Sequence, residues 1–269
     1  MAEKKNINLN RYDDGTPSVM RKQTVYTELF FFQKSDVLVQ LTKAFCERFL
    51  PRYGDRTVDQ MVQAARSVKQ NIAEGLTDGR TSFEVEIKLL GIAKGSNQEL
   101  LEDYQDYLKQ HHLNDWGRIA RSHRGAGNSS GSGNSRDSRN SSGSRNSRNS
   151  SNSREAMEAG IASRYDKLLT FCRTHNDLAD YEPYFSKWTD EELCNTAITL
   201  CHMVDKAMTT YIEGLDREFV EEGGIRERMT AARLDMRGTQ KQIIARLEAE
   251  NALLRARIAS LERELEKRK

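Results

Sequence analysis

Gln63-Ala-Ala-Arg-Ser-Val-Lys-Gln-Asn-Ile-Ala-Glu-Gly75 reads as the interior of a helix with an unusual inner face. Val58, Met61, Ala65, Val68 and Ile72 recur at helical spacing. Ser67, Asn71 and Gly75 fall four residues apart beside Ala64, Val68 and Ile72. Small and polar residues on a buried helix face imply close packing, with the polar groups satisfying one another. Thr57 and Gln60 form a capping box ahead of this helix, and Gly75 is expected to end it.

Neighbouring segments carry the same period. Leu29, Phe30, Val37, Leu41, Phe45 and Phe49 predict a helix from about Val25 to Leu50, stopped by Pro51. Phe83, Ile87, Leu90, Ala93, Leu100, Tyr104 and Leu108 predict a third, capped by Thr81 with Glu84 and running to about Gln110. Inside it lie Gly91 and Gly95, one turn apart. A glycine in a helix interior costs about 1 kcal/mol relative to alanine, so this pair predicts a closely packed neighbouring backbone. Thr189 with Glu192 opens a fourth helix, with Leu193, Ala197, Leu200, Val204, Ala207, Tyr211 and Leu215 as its stripe and Gly223-Gly224 at its end. With three prolines in 269 residues and few β-branched runs, the composition predicts an all-α protein.

Residues 1–24 read as a polar tail containing Asp13-Asp14-Gly15. Residues 117–156 read as a disordered insert that interrupts the helical body at 25–222. Asn-Ser-Arg recurs in it, and no apolar residue follows Ala126 before Glu155, so it cannot bury a core. A basic helix is expected over 223–238, broken at Arg237-Gly238. The last segment, 239–269, opens with Thr239 and Gln242 as a capping box and is a heptad repeat. Ile244, Asn251, Ile258 and Leu265 take a; Leu247, Leu254 and Leu261 take d. Isoleucine at a with leucine at d favours two parallel strands, and an asparagine at a sacrifices stability to fix register and dimeric state. Across such a dimer Glu250 faces Arg255, Arg257 faces Glu262, and Glu264 faces Lys269, each pair attractive.

Ala65-Arg-Ser-Val-Lys-Gln-Asn-Ile-Ala-Glu-Gly75 and Leu89-Leu-Gly-Ile-Ala-Lys-Gly-Ser-Asn-Gln-Glu-Leu100 resemble paired motifs of a four-helix-bundle family. That family is named for the intervening sequences of bacterial 23S rRNA genes and includes the accessory variability determinant of diversity-generating retroelements. Asp55-Arg-Thr-Val-Asp-Gln-Met61 and Glu222-Gly-Gly-Ile-Arg-Glu-Arg228 resemble its subfamily with a C-terminal suffix. The resemblance covers about residues 25–115 and 160–236; the heptads and the insert lie outside it. It implies an up-down four-helix bundle whose packing motif is Ser67, Asn71, Glu74, Gly75, Gly91, Gly95 and Ser96. It also implies homo-oligomers, a pentamer for the retroelement protein, and partnership with a reverse transcriptase and RNA or DNA.

Charge separates two readings of function. Residues 1–123 with 155–222 carry a net −8, whereas 124–154 and 223–269 carry +5 each. Nonspecific nucleic-acid affinity is largely cation-to-phosphate, so the helical body is a poor nucleic-acid binder and its appendages are better ones. The favoured expectation is a non-enzymatic, oligomeric helical scaffold or adaptor that pairs with itself. The alternative is a nucleic-acid-binding accessory of a reverse transcriptase. Its contacts would be Arg66 and Lys69 on the body, Arg136, Arg139, Arg145, Arg148 and Arg154 in the insert, and Arg226, Arg228 and Arg233 in the basic helix. No catalytic or phosphate-cradling motif is recognisable, and no metal or cofactor is expected. His111-His112 suit a helix C-terminus, and Cys201 and His202 project about 100° apart on their helix. Cys46, Cys172, Cys194 and Cys201 have no CxxC spacing and read as free buried thiols. The start, Met1-Ala-Glu-Lys-Lys-Asn, lacks an apolar signal-peptide core, and a cytoplasmic location without membrane contact is expected.

Overall fold

The computed structural model describes residues 9–21, 25–50, 56–128 and 145–266, with backbone alone for 126–128 and 145–152. The described chain is mostly helical, as the composition predicts. Its elements are a short hairpin, β1 (Asn10–Arg11) and β2 (Pro17–Ser18), then a 3-10 turn at Tyr26–Glu28, then eight helices. These are α1 (Phe30–Phe49), α2 (Thr57–Asp78), α3 (Phe83–Gln110), α4 (Trp116–Asn128), α5 (Arg145–Thr174), α6 (Leu178–Phe185), α7 (Asp190–Glu222) and α8 (Ile225–Glu266). No described helix is long and apolar enough to cross a membrane. The chain forms two compact units: Thr24–Thr77 with Val85–Glu213, and Met1–Gln23 with Asp78–Glu84 and Gly214–Lys269.

In the larger unit the inward stripes of α1, α2, α3 and α7 share one core. Val37, Leu38, Leu41, Phe45, Val68, Ile72, Leu90, Leu100, Tyr104, Leu193, Ala197 and Val204 are all buried in it. Phe45 anchors an aromatic cluster, its ring edge-on to Tyr104 at 5.1 Å and to Tyr107 at 4.9 Å. The Tyr104 hydroxyl donates to Thr42 Oγ1 at 3.0 Å, which satisfies a polar group at the centre of the core. Polar contacts further out join the same helices. Tyr211 donates to Glu86 at 2.9 Å, Asn97 Nδ2 donates to the Cys201 carbonyl at 3.0 Å, and Lys94 pairs with Asp205 at 3.3 Å.

Several boundaries differ from the sequence expectation. Gly75 does not end α2, which continues to Asp78. Thr81 does not cap α3; its hydroxyl donates to the Asp78 carbonyl, and α3 begins at Phe83. Thr189 and Glu192 do form the reciprocal box, with Glu192 N on Thr189 Oγ1 at 3.2 Å and Thr189 N on Glu192 Oε2 at 2.9 Å. Gly223 ends α7 at φ +77°, a left-handed conformation that glycine adopts without steric cost.

The described ends of the expected 117–156 insert are helical. α4 covers its start, and α5 covers its end from Arg145. The remaining segment, 129–144, lies outside the described residues. Apolar anchors explain the helical flanks. Trp116 and Ala120 on α4 and Ile161 and Ala162 on α5 are buried, and the two helices pack so closely that a Cβ on Gly117 would meet the Tyr165 ring at 3.3 Å.

In the smaller unit residues 9–21, part of the expected loose tail, are folded. Asn10 pairs with Ser18 and Arg11 with Pro17 around a turn closed by Asp13-Asp14-Gly15, where Gly15 has φ +81°. Arg228 of α8 holds the segment that follows: its guanidinium donates to the Val19 carbonyl at 3.0 Å and pairs with Glu222 at 2.6 Å. Arg21 stacks on the Phe83 ring at 3.8 Å and pairs with Glu218 at 3.0 Å. The expected break at Arg237-Gly238 is absent, and α8 runs unbroken for 42 residues, about 63 Å at 1.5 Å per residue. Thr239 therefore caps nothing; its hydroxyl donates back to the Asp235 carbonyl one turn earlier. One glycine costs a helix about 1 kcal/mol, too little to stop one flanked by strong helix formers.

Candidate functional site

The heptad positions lie along one side of α8. Ile244, Leu247, Leu254, Ile258, Leu261 and Leu265 are 42–64% exposed, and Asn251 is exposed among them. Along all of α8 only Arg228 and Ala232 are buried. Six large aliphatics in a row on one helix face are thus left uncovered by the described residues. Lys269, one member of the expected interhelical charge pairs, lies outside the described residues.

The small-residue motif behaves differently at its two ends. Ser67 Oγ and Ser96 Oγ are 2.8 Å apart, and Asn71 Nδ2 donates to the Ser67 carbonyl at 2.8 Å and to Ser67 Oγ at 3.1 Å. The polar groups of α2 and α3 therefore satisfy one another. At Gly75 a Cβ would meet Leu89 Cβ at 3.2 Å and the Glu86 carbonyl at 3.4 Å, so this glycine permits the close approach. Gly91 and Gly95 do not: both face open space, with no atom within 4 Å of a would-be Cβ. Among the described residues no close neighbour lies over them, because the period of α3 buries Leu90, Ala93 and Asn97 and turns both glycines outward. Glu74 is exposed and takes no part in the Ser67 network.

Beside Ser67 and Ser96 an open cleft of about 860 Å³ separates α2 from α3. Arg66 and Asp59 line it from α2, with Arg56 just ahead of that helix, while Glu99 and Asp103 line it from α3. Partial burial, followed by the nearby Asp106, Glu99 and Glu102 carboxylates, raises the Asp103 pKa. A cleft lined by both signs of charge offers no field for a polyanion, which weakens Arg66 as a phosphate contact.

The other basic candidates divide. Lys69 pairs with Asp36 at 2.5 Å, and Arg154 with Glu158 at 2.9 Å. Arg228 is only 3% exposed and its donors are taken by Glu222, Val19 and Met20, so it is a structural tie and not a phosphate contact. Arg226 and Arg233 are exposed on α8. Arg136 and Arg139 lie outside the described residues, as do the side chains of Arg145 and Arg148.

No protein-family model, curated protein or solved structure matches the chain. Its chemistry is therefore read from its own side chains. All four cysteines are free and buried. Burial raises Cys46 to about 12 and Cys172 to about 11, and it raises Cys194 and Cys201 as well, so none is a ready nucleophile. Among the described residues no group of His, Cys, Asp and Glu could hold a metal ion. His112 sits at φ +56° as the residue closing α3, with Leu113 N on the Leu108 carbonyl at 2.8 Å and His112 N on the Lys109 carbonyl at 3.3 Å. That is a Schellman closure. His111 stacks on Tyr107 with centroids 4.0 Å apart.

Two buried polar groups escaped the sequence reading. Lys34 on α1 is fully buried; its ammonium donates to the His175 carbonyl and, at 3.1 Å, to Tyr181 Oη. Its position four residues before Leu38 and seven before Leu41, on the apolar face, was the available signal. Asn195 on α7 is also buried: its Oδ1 accepts from Trp116 N at 2.8 Å, and its Nδ2 donates to the Asn114 carbonyl at 2.9 Å. No local pattern announces its ties to α4 and the residues before it, since Trp116 and Asn114 lie about eighty residues earlier.

Proposed function

We propose that this protein is a non-enzymatic helical scaffold that pairs with itself through a parallel, two-stranded coiled coil formed by the C-terminal half of α8. In this reading α1, α2, α3 and α7 make an up-down four-helix bundle, and α8 is the arm that joins two copies. One observation carries it: the a/d seam from Ile244 to Leu265 is left uncovered by the described residues. Burying a Leu or Ile side chain fully contributes about 1.5–3 kcal/mol, so a row of half-exposed ones favours a partner strand. Asn251 within the row selects two parallel strands in register, since an asparagine at a can hydrogen-bond its own copy across the dimer. Sedimentation of the full chain and of a chain ending at Gly238 tests the proposal. The full chain is expected to sediment as a dimer and the shortened chain to lose that state. A monomeric full chain would sink the proposal.

A further inference from the structure

The continuity of α8 has a consequence for its basic half. At 100° per residue, Arg226, Arg233, Arg237 and Lys241 fall within an arc of about 80° on the helix surface. All four are exposed. Ile244, the first residue of the seam, projects within that same arc, because it follows Arg226 by eighteen residues, five full turns. The buried Arg228 and Ala232 lie on the opposite side, so the arc is free on the face turned away from the hairpin. The only acidic residues between Ile225 and Gln242, Glu227 and Asp235, are already engaged: Glu227 accepts from Gly224 N at 3.0 Å, and Asp235 pairs with Arg11 at 2.9 Å.

We infer that the basic half of α8 becomes a double-stranded DNA clamp when the seam pairs, a conclusion that rests on the parallel coiled coil proposed above. Extending the heptads upstream puts Arg237 at a and Arg226, Arg233 and Gln240 at d. These residues cannot pack against their own copies, so the two helices part just ahead of Ile244. Two sets of four cations then stand on the facing sides of a fork, where each repels the other until a polyanion lies between them. The B-form major groove is about 12 Å wide and admits an α-helix, whereas the deep, narrow groove of A-form RNA does not. Helices diverging from a coiled coil straddle duplex DNA in this way. A single α8 presents half of the charge, so binding requires the dimer.

The test uses the full chain, a fluorescent 24-base-pair duplex of mixed sequence, an RNA duplex of the same length, and sedimentation of every protein. The variants are Leu254→Glu with Leu261→Glu, which breaks the seam, and Arg233→Gln with Arg237→Gln, which leaves it intact. The full chain is expected to bind the DNA and to lose about 1,000-fold or more of its affinity between 50 and 200 mM salt, as neutralising six or more phosphates requires. The Arg variant is expected to stay dimeric and bind at least 30-fold more weakly. The seam variant is expected to be monomeric and to lose binding at both salt concentrations. A dimer that does not bind DNA, binding that survives the Arg substitutions, or equal binding to the RNA duplex overturns the inference while leaving the coiled coil standing. A monomeric full chain overturns the coiled coil itself.

Discussion

Replacing Lys34 with methionine should remove a specific pH dependence from the stability of this protein. Lys34 is fully buried on α1, with its ammonium on the His175 carbonyl and on Tyr181 Oη at 3.1 Å. Burial disfavours the charged form and pushes its pKa down from 10.5 to about 8, although Cys172, Asp180 and Asp177 pull the other way. The folded-state pKa therefore lies below the unfolded one. Between pH 8 and 10.5 the unfolded chain holds a proton that the folded chain has released, so unfolding takes up a proton and stability rises with pH across that window. Each pKa unit corresponds to 1.36 kcal/mol, so the whole window yields roughly 3 kcal/mol. Below pH 8 lysine is charged in both states and the full penalty is present. Cys172, raised to about 11, and Tyr181, raised further, keep their protons in the folded chain across most of the window. Their titration in the unfolded chain is common to both proteins and cancels. Urea unfolding followed by circular dichroism at pH 7.5, 8.5, 9.5 and 10.5 supplies the comparison. The stability of the native chain relative to Lys34→Met should climb by roughly 3 kcal/mol between the ends of the series. Parallel curves, with a constant difference at every pH, would refute the argument that burial controls this lysine.

Three further outcomes follow from particular contacts. Gly75→Val should cost about 1–3 kcal/mol of stability by forcing a side chain against Leu89, whereas Gly91→Ala and Gly95→Ala should each add about 1 kcal/mol, because nothing occupies the space a Cβ would enter; thermal unfolding of the three variants separates these signs. Arg228→Met should free the segment after the hairpin, since the Val19 and Met20 carbonyls lose their donor and Glu222 its partner, a loss of about 3 kcal/mol; faster proteolytic cleavage between residues 12 and 21, against an unchanged rate elsewhere, would report it. Asn251→Ile should raise the melting temperature of the arm and broaden its assembly beyond dimers, because the polar residue that specifies two strands is gone; sedimentation at several concentrations reads the change, and an unaltered dimer of unaltered stability would count against Asn251 lying in a seam.

Element positions were legible wherever a period was clean. α1, α2, α3 and α7 begin and end within a few residues of where their apolar stripes place them, since burying such a stripe needs a helix of that length. Misreadings cluster at glycine and at low-complexity sequence. Gly75, Gly91, Gly95 and Gly238 look alike in a string of letters, yet the first fills a tight approach, the second and third face open space, and the last sits inside an unbroken helix. A glycine has no side chain to declare its neighbours, so only the path of the backbone distinguishes these cases. The Asn-Ser-Arg segment was read from composition, but its flanks follow the apolar anchors Trp116, Ala120, Ile161 and Ala162 that bracket it.

By itself the sequence determined what repeats along one helix: the stripes that bury a core, the Thr189–Glu192 box, and the heptads from Ile244 to Leu265. Local spacing encodes these features, and neighbouring residues alone settle which face they share. Tertiary structure decided what depends on distant partners. It showed that Lys34 and Asn195 are buried and satisfied, that Arg228 ties down a hairpin instead of meeting phosphate, and that α8 carries its basic arc and its seam on one continuous rod. The free energy of a buried polar group depends on the partner brought to it, and that partner is chosen by the fold.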